Sequence, residues 1–360
     1  MKDRWEMDSL RLAGGLVAVL LVGYGLSKYR EGNGPKFDLL LTLFISASIA
    51  AVAVFPAAVG NVLSYAFRLE NRMFSLLVLS NLLLFAMFFF LLNQVRVSNR
   101  RSGQVVRALA RQSYSERYSN RRRRPGELDT GPKKGRLLIV IPAYNEQEAI
   151  RGVLTRMPKE ILGYEVDTLV VVDGATDGTE AVAIEHNFPV ATHLINQGQG
   201  DALRTGFEIA RVEGADIVVN MDADGQHQSE EIERLVAPII NDEADFVLGS
   251  RFLGHYEERG SIRHVGVILF SWLISVLTRQ KLTDSCNGFR AIRGSLLHKL
   301  DLREDRLNAP ELLLEAVKKQ LRIKEVPVSI LRRAEGESKM PKRLGFPLGF
   351  LRVIIETWLR

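Results

Sequence analysis

The sequence predicts an α/β domain with a mostly parallel sheet flanked by helices, preceded by an all-α segment of three transmembrane helices. Two observations carry this reading. Three long apolar stretches occupy the first hundred residues, and from Arg136 onward short β-branched runs alternate with polar loops and helical patterns. A third observation points to chemistry: the loops after those runs are rich in carboxylates.

The apolar stretches are Leu10 to Leu26, Phe37 to Val59 and Met73 to Val95, each close to the roughly 20 residues a helix needs to cross a bilayer core. A signal peptide is the alternative for the first, but no small-x-small cleavage site follows it, and two further spans favour an anchor over residues 1–99. Lys28, Arg30 and Lys36 lie in the first loop and only Arg68 and Arg72 in the second. After the third come Arg96, Arg100, Arg101, Arg107, Arg111, Arg117 and the run Arg121 to Arg124. By the positive-inside rule, this is an integral protein of the cytoplasmic membrane with its large C-terminal part in the cytosol. The net charge of +6 is concentrated in residues 100–135, read as a flexible basic linker held near anionic headgroups. That surface potential accounts for the charge, so no nucleic-acid partner is expected. A single cysteine, Cys286, excludes an internal disulfide and fits a cytosolic domain.

The α/β domain is expected over residues 136–340. Leu137 to Ile141 reads as a buried strand stopped by Pro142, with a helix from Glu146. Leu169 to Val172 is the next strand, then Val190 to Leu194, Ile217 to Met221 and Phe246 to Leu248. Ligands of such sheets bind outside the carboxyl ends of the strands, where Glu146, Asp173 with Asp177, and Asp222 with Asp224 all fall. No GxGxxG follows the first strand, which disfavours a dinucleotide. Acidic loops can hold phosphate only through a metal.

The sharpest motif is Ile217 to His227, IVVNMDADGQH: a strand, two carboxylates one residue apart, and Gly225 to turn the backbone before Gln226. Alone it could be a polar turn. As a ligand set, the oxygens suit Mg²⁺ or Mn²⁺, which retain open positions for substrate phosphates.

In order, PAYNE, VVDGATDGT, NQGQGDALRTGF, DADGQH, GSRF and DSCNGFRA resemble family 2 glycosyltransferases of the GT-A fold, and within them the polyprenyl-phosphate branch that includes dolichol-phosphate mannose synthases. The resemblance spans about residues 136–340. It implies that Pro142, Tyr144, Glu146 and Asp173 line a nucleotide pocket, and that Asp222, Asp224 and Gln226 hold the metal and sugar nucleotide. One departure is visible: the family usually carries two adjacent aspartates in the second loop, whereas Gly174 follows Asp173 here. Taken singly, Pro142 and Tyr144 also fit a strand terminator and a packing aromatic. Arg204 and Arg251 are cations for the diphosphate or, equally, surface residues. Asp284 resembles the family's acidic residue near the acceptor, and Arg333, Ser338 and Lys339 are candidates for the acceptor phosphate. Arg263 to Leu277 has an apolar run too short to span, with a tryptophan and basic flanks; it is read as an interfacial helix, as is the C-terminal segment 341–360.

The expected function is inverting, metal-dependent transfer of a hexose from GDP-mannose or a UDP-hexose to a polyprenyl (dolichyl or undecaprenyl) phosphate at the membrane, with Asp224, Asp284 and Arg251 at the reacting centre. Transfer to another membrane glycolipid or polysaccharide, and a catalytically silent scaffold, are the alternatives. A homo-oligomer stays open.

Overall fold

A computed structural model describes residues 12, 14–24, 26, 36–67, 72–118, 134–257, 262–305, 307–332 and 345–360. The chain divides into two compact units, Met1–Asn99 and Arg100–Arg360.

In the first unit, residues 14–24 are helical and are followed by α1 (Lys36–Val54), α2 (Pro56–Phe67) and the start of α3 (Arg72–Tyr118). Among the described residues no helix is long and apolar enough to cross a membrane, so the three expected spans are not supported there. The span expected over 37–59 is interrupted at Phe55. Phe55 N still donates to Ala51 O (2.9 Å), but Pro56 has no N–H to continue the ladder and opens α2 at a helix's first position, where that loss costs least.

The stretch expected as a flexible linker is also different. α3 continues to Tyr118, and within the second unit its Val106 and Ala110 are buried while Tyr114 packs against the core. These three lie four residues apart, one stripe of a helix that the arginines between them conceal. Residues 119–133 lie outside the described residues.

The second unit is built on an eight-stranded sheet: β1 (Gly135–Ala143), β2 (Glu160–Ile161), β3 (Tyr164–Asp173), β4 (Val190–His193), β5 (Ile217–Asn220), β6 (Phe246–Tyr256), β7 (Arg290–Arg293) and β8 (Ile323–Ile330), in the order β2-β3-β1-β5-β7-β6-β8 with β4 beside β3. β1 pairs in parallel with β3 and β5, β3 with β4, and β6 with β8; β2 and β7 run against their neighbours. Side chains alternate across the sheet as the pleat requires. Leu137, Ile139 and Ile141 face α4 (Gln147–Leu154), α5 (Thr179–Glu185) and α7 (Ile232–Ile240). Leu138 and Val140 face α6 (Gln199–Glu213), α8 (Ile262–Thr278), α9 (Asn308–Lys318) and α10 (Gly345–Leu359).

Pro142 does not stop the first strand. It lies inside β1 opposite Val171, but β5 pairs with β1 only as far as Val140, so the missing N–H falls where no ladder bond is due. The antiparallel β7 decides where the site lies. Asn220 stands opposite Arg290, and Arg290 opposite Leu248, so the loop leaving β5, the loop entering β7 and the middle of β6 meet at one end of the sheet.

Candidate active site

The loop after β5 carries Asp222, half-buried, and Asp224, buried. Gln226 N donates to Asp224 Oδ1 (3.1 Å), closing a turn that Gly225 permits at φ 75°. Gln199 Nε2 donates to Asp222 Oδ1 (2.7 Å). Behind this carboxylate lies Gly288, where a Cβ would stand 2.9 Å from Asp222 Oδ2 and 3.0 Å from Oδ1, so only glycine leaves it room.

A second pair lies across the β7 entry loop. Arg251 Nε donates to Asp284 Oδ2 (2.6 Å), and Arg251 N donates to the same oxygen (3.1 Å). Asp284 is fully buried, and among the described residues its Oδ1 has no hydrogen-bond partner. Burial is the largest single influence on the Arg251 guanidinium and works to lower it, but the charge and hydrogen bond of Asp284, with Cys286 and Tyr256, together outweigh it and leave the guanidinium raised. Burial and the Asp284 charge push the neighbouring Cys286 thiol up to about 12, which excludes it as a nucleophile near neutrality.

His227 and Asn287 couple the two pairs. Asp222 N donates to His227 Nδ1 (3.2 Å), which leaves the proton on Nε2, 3.1 Å from Asn287 Oδ1. Asn287 Nδ2 donates to Gly249 O (2.7 Å), two residues before Arg251, and the His227 ring stacks on Phe289 at 4.8 Å. Arg290, fully buried, donates from Nε to Asn287 O (2.7 Å), from Nη2 to Ser285 O (2.9 Å) and from Nη1 to Ala309 O (2.7 Å). Burial brings its guanidinium down to about 10, still a cation at neutral pH. The sequence reading gave His227, Asn287, Arg290 and Gln199 no individual role, although each lies in a quoted motif. Which side chains in a motif face each other is set by the β5–β7 register.

The other expected residues divide. Tyr144 is exposed and Glu146 half-buried at the end of β1, while Pro142 is buried within it. Asp173 is 2% exposed: its Oδ1 accepts from His193 Nδ1 (2.8 Å) and Gln197 N (2.9 Å), and its Oδ2 from Gly198 N (2.7 Å). Its carboxylate therefore holds the NQGQG loop. Arg204 departs from the expected diphosphate cation, because Nη2 lies 2.5 Å from both Asp201 and Asp305 carboxylates and Nη1 donates to Leu302 O (2.9 Å). Gln226 Nε2 donates to Leu331 O (2.8 Å). Arg333, Ser338 and Lys339 lie outside the described residues, but the chain enters that segment directly from Leu331 and Arg332.

Among the described residues no group of three or more His, Cys, Asp and Glu side chains could hold a metal by itself. The donor set still fits a hard cation. Asp222 and Asp224 supply two carboxylates, and Mg²⁺ or Mn²⁺ commonly takes one or two, completing its shell with water and substrate phosphate.

The fold is a GT-A-like α/β fold, shared with a solved structure. That structure, glucosyl-3-phosphoglycerate synthase from Mycobacterium tuberculosis with Mn²⁺ and UDP-glucose, superposes with a TM-score of 0.50 at 22% identity, covering 66% of this chain and 84% of that one. Residues 138–301 match the model of glycosyl transferase family 2. The chain is 33% identical over 218 residues to UDP-N-acetylglucosamine–dolichyl-phosphate N-acetylglucosaminyltransferase of Methanococcus voltae, covering 54% of this chain and 85% of the relative. It is also 33% identical over 222 residues to undecaprenyl-phosphate mannosyltransferase of Micrococcus luteus, covering 57% and 87%. The chain belongs to glycosyl transferase family 2.

Proposed function

We propose that this glycosyltransferase moves a hexose from a nucleoside-diphosphate sugar, GDP-mannose or a UDP-hexose, to the phosphate of a polyprenyl monophosphate. The observation that carries the reading is the meeting, through His227 and Asn287, of the Asp222–Asp224 carboxylates with the buried Arg251–Asp284 pair at one end of the sheet. The two relatives reported above bear names for transfer to dolichyl and undecaprenyl phosphate, which supports that acceptor class.

An acceptor phosphate oxygen attacks the anomeric carbon as the bond to the nucleoside diphosphate breaks, inverting that carbon. A phosphate monoester is already anionic at neutral pH, so no strong base is needed. Asp222 and Asp224 would hold Mg²⁺ or Mn²⁺, which supplies charge neutralisation to the diphosphate. Arg251, permanently cationic, offers further positive charge for the leaving group, and Asp284 fixes the orientation of that guanidinium. Asp284 Oδ1, without a hydrogen-bond partner among the described residues, is a buried acceptor suited to a sugar hydroxyl. Tyr144 and Glu146 at the rim are assigned to the nucleotide. Arg333, Ser338 and Lys339 are assigned to the acceptor phosphate, because Leu331, two residues before Arg333, accepts from Gln226.

Residues 1–99 are assigned to a membrane, with the second unit on the cytoplasmic side. Supporting this, Leu16, Leu20, Phe44, Leu84, Phe85 and Phe88 of the first unit are exposed. α8 leaves Val265, Leu269, Trp272 and Val276 exposed, and α10 leaves Ile355 and Trp358, a combination suited to a bilayer interface.

The test incubates membranes containing the protein with each labelled nucleotide sugar and polyprenyl phosphate, then identifies the lipid by mass. A polyprenyl-phosphate hexose that fails to form when the divalent cation is chelated supports the reading. Sugar transfer only to another lipid or polysaccharide would replace it.

A further inference from the structure

We infer that Arg107, in the α3 segment outside the family-matched region, is a positioning residue for the cation site, acting through Asp201 and the Gln197–Gln199 loop on Asp222. The inference rests on the reading of Asp222 as a cation-binding carboxylate.

The path is continuous. Arg107 Nη1 forms an ion pair with Asp201 Oδ1, and both side chains are largely buried. Asp201 sits in the first turn of α6, and its N donates to Gly198 O (3.1 Å). Gly198, at φ 98°, and Gln197 are the two residues whose amides donate to Asp173. The loop is thus held both by Asp173 and by α3, and the next residue, Gln199, places its amide on Asp222.

Two features make this a device and not an incidental contact. Gly103, one turn before Arg107, approaches so closely that a Cβ there would stand 2.8 Å from Asp201 Oδ2 and 3.3 Å from Gln197 Oε1. α3 is therefore packed on the loop by backbone proximity as well as by charge. Second, Gln199 is a neutral donor: it orients Asp222 while leaving the full carboxylate charge for a cation, the work that outer-shell partners do at metal sites. A helix that fixes the loop fixes that amide.

Asp201 keeps Arg204 as a second partner at 2.5 Å, so losing Arg107 loosens the loop without stranding a buried charge. Arg111, one turn further on, pairs with Glu208 (3.0 Å), which Arg107 Nε also approaches at 3.7 Å, and serves as the control for that shared contact.

The experiment measures Mn²⁺ binding to the full-length purified protein by the loss of the free Mn²⁺ EPR signal, alongside donor kinetics. Arg107→Ala should weaken Mn²⁺ binding about threefold to tenfold, and Gln199→Ala about tenfold. For Arg107→Ala, kcat at saturating Mn²⁺ and donor should change little. Arg107→Lys should restore most of the affinity, and Arg111→Ala should leave it unchanged. Because both act on one link, Arg107→Ala added to Gln199→Ala should have little further effect. Gly103→Ala, which favours the helix but presses on the loop, should weaken binding with the ion pair intact, so the inference remains testable if Arg107→Ala folds poorly. Wild-type Mn²⁺ affinity in both Arg107→Ala and Gly103→Ala, or a full additional loss in the double variant, overturns the inference. Loss of binding in Asp222→Asn beside such a result leaves the site reading standing; normal binding in Asp222→Asn overturns both.

Discussion

The two units place their apolar residues oppositely. In residues 100–360, Ile139, Val172, Val219 and Phe289 are fully enclosed and the carboxylates at the strand ends are held by named donors. Among the described residues of 1–99, Phe85 is 61% exposed and Leu20 64%, and the buried side chains are Ala18, Thr42, Ile45 and Ser46. Water penalises that exposure at about 25 cal/mol per Å² of apolar surface, so the second unit is stabilised by its own interior and the first needs an apolar cover. The proposed function follows this difference: it assigns chemistry to the unit that encloses its apolar groups and attachment to the unit that displays them.

The strongest way to break this separation is Asp224→Asn in the full chain. Transfer should fall roughly 10²–10³-fold, as when a single stabilising group is removed from a reacting centre, while the membrane-bound fraction stays as in the wild type. A coincident loss of membrane retention would join the two tasks.

Next in size is a pair of phenylalanines. Phe289→Ala, in the enclosed unit and stacked on His227, should cost about 3–5 kcal/mol in unfolding free energy and weaken activity by loosening the Asn287 turn. Phe85→Ala, in the displayed unit, should change stability in detergent by less than about 0.5 kcal/mol. Chemical denaturation of both variants measures the contrast, and similar costs would refute it.

Deleting residues 1–99 should weaken but not abolish binding to anionic liposomes, since Trp272 and Trp358 remain exposed on α8 and α10. Mn²⁺ affinity should stay within about twofold, as expected for sites without shared partners. Cutting to residue 118 instead removes Arg107 and should lower that affinity.

The smallest effect is a pH dependence confined to the second unit. Arg322 donates to Asp245 from Nη2 (2.9 Å) and Nε (3.0 Å), and these bonds outweigh burial to hold the carboxyl at about 2, below its usual 3.8. A depressed carboxyl stabilises the fold above its unfolded value and loses that contribution as pH falls through the folded one. Unfolding midpoints should therefore drop between about pH 4 and pH 2, and Asp245→Asn should flatten that part of the profile. An unchanged slope in the variant would remove Asp245 from the account.

The amino-acid order alone determined the strand–loop–helix alternation after Arg136, because buried parallel strands must be continuous apolar runs such as Leu137 to Ile141. It also determined that Asp222 and Asp224 stand at a strand's end, and through the ordered motifs it pointed to the family. These are local or patterned properties, readable wherever chemistry is set by neighbours in the chain. Only the tertiary structure decided what each side chain faces. Asp173 and Arg204 carry the charges expected of ligand contacts, yet one holds an internal loop and the other pairs with Asp201 and Asp305. Arg251 and Asp284 were expected at the reacting centre in separate roles and are partners at 2.6 Å. The arginines of residues 100–118 read as a solvated linker until folding gave Arg107 a buried carboxylate, because a charge declares its role through the partner that burial brings to it, and that partner lies 94 residues away.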